Sequence, residues 1–99
     1  DCNNYQSGGH VTDLTSLYPV HSKWESFHWH VQQADGHDIE ALQHAIDAAQ
    51  AENDRPSMIV CTTVKGKNIS FMENNNAWHK RVPTLEELET ARRELEAMA

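Results

Sequence analysis

This chain has no apolar run approaching the ~20 residues that a helical membrane span requires. Basic residues are scarce, with 8 Lys and Arg against 15 Asp and Glu. The resulting formal charge of −7 argues against a general binder of nucleic acid or of anionic membranes. Cysteines are few: Cys2 and Cys61 lie far apart, so no disulfide framework is expected, and both read as reduced thiols of a cytoplasmic protein. Internal repeats and low-complexity tracts are missing. Ninety-nine residues make one small domain at most. The chain also lacks an initiator Met and a signal-like start. It opens on polar Asp1-Cys2-Asn3, which reads as the end of a strand and its turn without the strand. A piece of a longer chain is the expectation, and a processed terminus the alternative.

Several elements can be read along the chain. Asn3 to Gly9 is dense in turn formers and is expected to be a loop, with an irregular lead-in over Leu14 to Tyr18. Pro19 suits a helix start, and Val20, Trp24 and Phe27 form one apolar face of a first helix ending near His28. Trp29 to Ala34 alternates as a half-buried strand. Asp38 can cap a second helix, with Glu40 in its first turn and Ile39, Leu42, Ile46 and Ala49 as its apolar face. Asn53-Asp54-Arg55-Pro56 ends that helix, and Ser57 to Thr63 reads as a buried parallel strand. Thr84 with Glu87 forms a capping box for a third helix, whose apolar face is Leu85, Leu88, Leu95 and Met98. Helices alternating with strands predict an α/β fold with flanking helices on short parallel strands, the sheet incomplete in this chain. Ligands in such sheets gather beyond the carboxyl ends of the strands, where Asn3, the Asp35 turn and the Lys65 loop would lie.

Between the last strand and the last helix, Cys61 to Pro83 has little periodicity. It carries Phe71, Met72 and Trp78, whereas disordered segments are poor in aromatics, so we read an ordered loop that packs its own side chains and presents Lys65 and His79. Asn3 offers a hard amide oxygen and Tyr5 a main-chain carbonyl, the ligand type that Mg²⁺ takes; a plain turn is the alternative. Lys65 beside Gly66 could approach a phosphate, but the segment is no P-loop, and a solvated basic turn is the alternative. His79 could donate a hydrogen bond to an anion or exchange a proton; a surface histidine is its alternative. The other histidines show no zinc spacing and read as surface or packing residues. No pattern for nucleophilic catalysis by the protein itself is visible.

Thr63-Val64-Lys65-Gly66-Lys67, Ser70-Phe71-Met72-Glu73-Asn74 and Trp78-His79-Lys80 resemble the segment of transketolases that closes the thiamine diphosphate site. The amino-terminal subunit of split transketolases is most similar. Asp1-Cys2-Asn3, Trp29-His30-Val31 and Asp35-Gly36-His37-Asp38-Ile39-Glu40 resemble further blocks in the same order, so the likeness covers nearly the whole chain. It implies that residues 1–99 are the carboxy-terminal portion of a thiamine diphosphate-binding domain. It also implies a transferase of carbohydrate metabolism and the pentose phosphate pathway, moving a two-carbon ketol unit from a ketose phosphate to an aldose phosphate. By position, Asn3 and Tyr5 would bind Mg²⁺ (or Ca²⁺), Asn3, Lys65 and His79 would contact the cofactor, and His79 would touch substrate as the catalytic residue. Partners would be sugar phosphates and the remaining domains or a carboxy-terminal subunit, in a homodimer or heterotetramer, and the chain alone would be inactive. Departures from the family pattern are Ser7 for a bulkier group, Gly8 for a common Asp, and His28 and Asn68 for common glycines. Alternatives are a non-catalytic truncated α/β interaction module, or a related thiamine diphosphate enzyme such as a deoxyxylulose-phosphate synthase or a dehydrogenase E1 component.

Overall fold

The structure, a computed structural model, describes residues 1–98. It divides into two compact units, one made of Asp1–Asn3 with Thr15–Thr63, the other of Asn4–Leu14 with Val64 onward.

The first unit is built around two parallel strands, β3 (His30–Asp35) and β4 (Ser57–Thr62), joined through a helix, α3 (Ile39–Ala51). Register runs from His30 opposite Ser57 to Asp35 opposite Thr62. On the other side of β4, Cys2 makes a parallel bridge to Thr62, its N–H donating to the Cys61 carbonyl at 2.7 Å. The expected strand end at Asp1-Cys2-Asn3 is therefore present. Cys2 stands opposite Thr62, so Cys61, one residue away, points to the other face of the pleat, and the two thiols are free.

Helix α2 (Val20–Ser26) and α3 both pack on this strand pair. α2 ends in a Schellman motif: His28 N–H donates to the Glu25 carbonyl at 2.8 Å, and Trp29 N–H to the Trp24 carbonyl at 3.3 Å. The rings of Trp24 and Trp29, 4.7 Å apart, supply the hydrophobic contact of that motif. His28 holds φ at +64°, the left-handed value that this position demands and that glycine adopts most cheaply. α3 starts as expected, with the Asp38 carboxylate accepting from Glu40 and Ala41 N–H at 2.9 and 3.1 Å. Its end is held by Glu52, which accepts from Asp54 N–H and Arg55 Nε. Those bonds, that of Asp54 first, keep its carboxyl below the usual range.

The second unit begins with a hairpin missed by the sequence reading. β1 (Tyr5–Gln6) pairs antiparallel with β2 (Gly9–His10), and a short helix, α1 (Val11–Leu14), follows directly. Of the loop expected over Asn3 to Gly9, Tyr5, Gln6 and Gly9 are strand and Ser7-Gly8 the tight turn, and helix reaches Leu14, the start of the expected lead-in. After the long loop, α4 (Leu85–Glu96) carries the complete capping box of Thr84 and Glu87.

Two expected helix faces need correction. In α3 the buried residue is Ala45, while Ile39 and Ile46 are 77% and 43% exposed. In α4 it is Ala91, while Leu85 and Leu95 are 83% and 46% exposed, and Met98, just beyond the helix, is 61% exposed. Phe27 of the first helix face and the β4 strand likewise fall short of full burial. The fully buried residue of each helix is an alanine, and much of its apolar stripe lies open in this chain, although Leu42 and Ala49 of α3 are half-buried.

Candidate cofactor-binding site

The carboxyl ends of the parallel segments converge in the first unit, where Cys2, Asp35 and Thr62 are neighbours by register. The chain turns sharply beyond them. Gly36 N–H donates to the Thr62 carbonyl at 2.8 Å, and the Asp35 carboxylate accepts from His37 N–H at 2.9 Å. Asn3 stands at this end, half-buried. Its amide nitrogen donates to Asp1 Oδ2 at 2.9 Å. The other oxygen of Asp1 takes the hydroxyl of Thr63, the residue just past β4.

Tyr5, Lys65 and His79 belong to the second unit. Tyr5 opens the hairpin, with its ring edge-on to His10 at 5.3 Å. Lys65 is half-buried at the base of the long loop, and its carbonyl accepts from Asn74 N–H at 2.9 Å. Gly66 follows at φ +70°, and a Cβ there would sit 2.5 Å from the Met72 carbonyl oxygen, so only glycine lets the loop close on Lys65. Lys67 pairs with Glu73 at 3.9 Å, which staples the loop; among the described residues no such ion pair engages Lys65.

His79 is exposed at the end of a 3₁₀ turn, Asn76–His79. Asn75 caps that turn by accepting from Ala77 N–H at 3.1 Å. Trp78 anchors it: its indole N–H donates to the Phe71 carbonyl at 2.9 Å, and its ring lies 5.2 Å from that of Phe71. Arg81 lies over the Trp78 ring at 4.3 Å from the centroid and pairs with Glu87. The loop therefore packs its own side chains, as expected. Sequence reading missed Asn76. With its amide oriented to satisfy both ends, it donates to the Gln6 carbonyl at 3.1 Å and accepts from Gly9 N–H at 3.2 Å. One side chain thus clasps the hairpin of Tyr5 to the turn of His79. The structure brings Tyr5 and His79 onto linked elements and places Lys65 in the same loop as His79. Asn3 falls in the other unit, joined to Tyr5 through Asn4.

Among the described residues, no three His, Cys, Asp or Glu side chains gather as metal ligands. Asn3 carries an amide oxygen and Tyr5 a main-chain carbonyl, both of the hard donor type that Mg²⁺ takes. The Asp1 contact engages the NH₂ end of the Asn3 amide.

In an α/β domain with parallel strands, ligands gather at the loops beyond the carboxyl ends of the strands. Residues 1–97 match the transketolase, thiamine diphosphate binding domain family, and the chain belongs to it. It is 38% identical over 96 residues to one subunit of the 6-deoxy-6-sulfo-D-fructose transketolase of Clostridium sp. (strain MSTE9), a match that covers 97% of this chain and 35% of the relative. One subunit of the apulose-4-phosphate transketolase of Actinobacillus succinogenes is 35% identical over 95 residues, 96% of this chain and 34% of the relative. The chain thus spans about a third of the length of these relatives. The crystal structure of a transketolase mutant from Pichia stipitis, complexed with fructose-6-phosphate, superposes with a TM-score of 0.64 at 19% identity, over 98% of this chain and 18% of that one. That likeness establishes the fold.

Proposed function

We propose that this chain is the carboxy-terminal portion of the thiamine diphosphate-binding half of a transketolase, which transfers a two-carbon ketol unit between sugar phosphates. The observation that carries the reading is the family match over residues 1–97, together with relatives that are themselves named transketolase subunits. The open apolar stripes of α3 and α4 suit a part that works inside a larger assembly, whose partners would be further domains or a carboxy-terminal subunit.

Asn3, through its side-chain oxygen, and Tyr5, through its carbonyl, would hold Mg²⁺ against the diphosphate. Lys65, half-buried and next to a glycine that permits close approach, would lie near the cofactor. When bound, the cofactor supplies the carbanion chemistry that this chain's side chains cannot. His79, exposed on a turn fixed by Trp78 and Asn76, would hydrogen-bond the donor sugar and hold a proton at its reacting end.

The test is a ketol-transfer assay on the complete protein with a ketose phosphate donor and an aldose phosphate acceptor. Wild type is expected to turn over, and His79→Ala is expected to lower kcat by about 10²-fold or more. A complete protein that binds thiamine diphosphate yet transfers no ketol unit would favour a related thiamine diphosphate enzyme, such as a deoxyxylulose-phosphate synthase or a dehydrogenase E1 component.

A further inference from the structure

Asp1 bonds the side chain of Asn3, and Thr63 bonds Asp1 from behind. A carboxamide has two ends of nearly equal size and opposite chemistry, and its terminal torsion is soft. A cation accepts the oxygen end only. In this structure Asp1 Oδ2 takes the Asn3 NH₂ group at 2.9 Å, so the oxygen lies on the opposite branch. The Asp1 carboxylate is itself held, because its second oxygen receives the Thr63 hydroxyl. Thr63 is in turn fixed by the strand ends: its N–H donates to the Cys2 carbonyl at 3.5 Å, and Cys2 N–H donates to the Cys61 carbonyl at 2.7 Å. The chain of contacts runs from β4 through Thr63 and Asp1 to the amide of Asn3.

We propose that Asp1, locked by Thr63, is a positioning residue that sets which end of the Asn3 amide faces the metal. The inference rests on the reading of Asn3 as a magnesium ligand and extends it to residues behind that ligand. Acceptors behind metal ligands fix ligand orientation and raise ligand basicity, and losing one costs about 10–100-fold in metal affinity. Asp1→Asn keeps the size but introduces a donor that can pair with either end of the Asn3 amide. Thr63→Val keeps the shape and removes the hydroxyl, whereas Thr63→Ser keeps the hydroxyl.

The experiment titrates Mg²⁺ by calorimetry into the complete protein at saturating thiamine diphosphate, and follows thermal unfolding of each metal-free variant in EDTA. Asp1→Asn is expected to weaken Mg²⁺ binding about 10–100-fold, with metal-free unfolding unchanged. Thr63→Val is expected to weaken it less, and Thr63→Ser to restore it. Unchanged Mg²⁺ affinity in Asp1→Asn overturns the proposal, and a lowered unfolding temperature with unchanged affinity shows a merely structural clasp. Absence of Mg²⁺ binding in wild type overturns the metal reading itself, a result distinct from the other two.

Discussion

At the scale of single residues, His28 carries a mismatch between side chain and backbone. The Schellman motif requires a left-handed residue there, and a non-glycine residue in that region costs about 1–2 kcal/mol. Asn68 holds a similar φ of +71°, but asparagine tolerates that region better. Both positions were visible in the sequence as departures from a common glycine; the reason for the glycine was not, because only the backbone shows it. His28→Gly is expected to raise stability by about 1 kcal/mol, offset in part by a more flexible unfolded chain, while Asn68→Gly stays near neutral. Urea unfolding, read as a shift in midpoint at constant slope, checks both.

Elements whose cause is local were the most legible. The N-cap of α3 and the capping box of α4 involve residues within three positions of each other, and both sit where the sequence places them. The hairpin of Tyr5 to His10 was not legible. Its strands are two residues each, and its clasp, Asn76, is about seventy positions away. Helix periodicity showed that apolar stripes exist but not what they face, so Ile39 and Leu85 were expected inside and are exposed.

Thr84→Ala is expected to destabilise α4 by about 1 kcal/mol, measured by urea or thermal unfolding. The same cap predicts acid sensitivity. Glu87 is held below the ordinary glutamate range by the Thr84 N–H first, then by the Thr84 hydroxyl and Arg81. Glu94 is lowered likewise by the Ser70 hydroxyl and N–H, which tie α4 to the long loop. A depressed carboxyl contributes stability above its unfolded value and loses it as pH falls through its folded value. Unfolding monitored by circular dichroism should therefore show α4 weakening from about pH 4.5 downward, and less steeply in Thr84→Ala.

For the whole molecule, the α/β class and the parallel strand pair were legible from alternating patterns, and the family from blocks in order. What the pattern left open was completeness. The sequence spans about a third of its curated relatives, and bulky side chains lie open on both units. Among the described residues no helix is long and apolar enough to cross a membrane. We expect the isolated 99-residue chain to show no ketol transfer, since it spans only about a third of the length of the transketolase subunits it matches. A turnover assay on the purified chain, set against the complete protein, checks this, and activity in the chain alone would refute it.

The most direct measurement is a calorimetric titration of thiamine diphosphate into the complete protein, first with Mg²⁺ and then with EDTA. The predicted result is binding that depends on Mg²⁺ and that Asn3→Ala weakens markedly. Binding of equal strength in EDTA, or binding indifferent to Asn3→Ala, would contradict the assignment of this chain as the part that holds the metal and diphosphate.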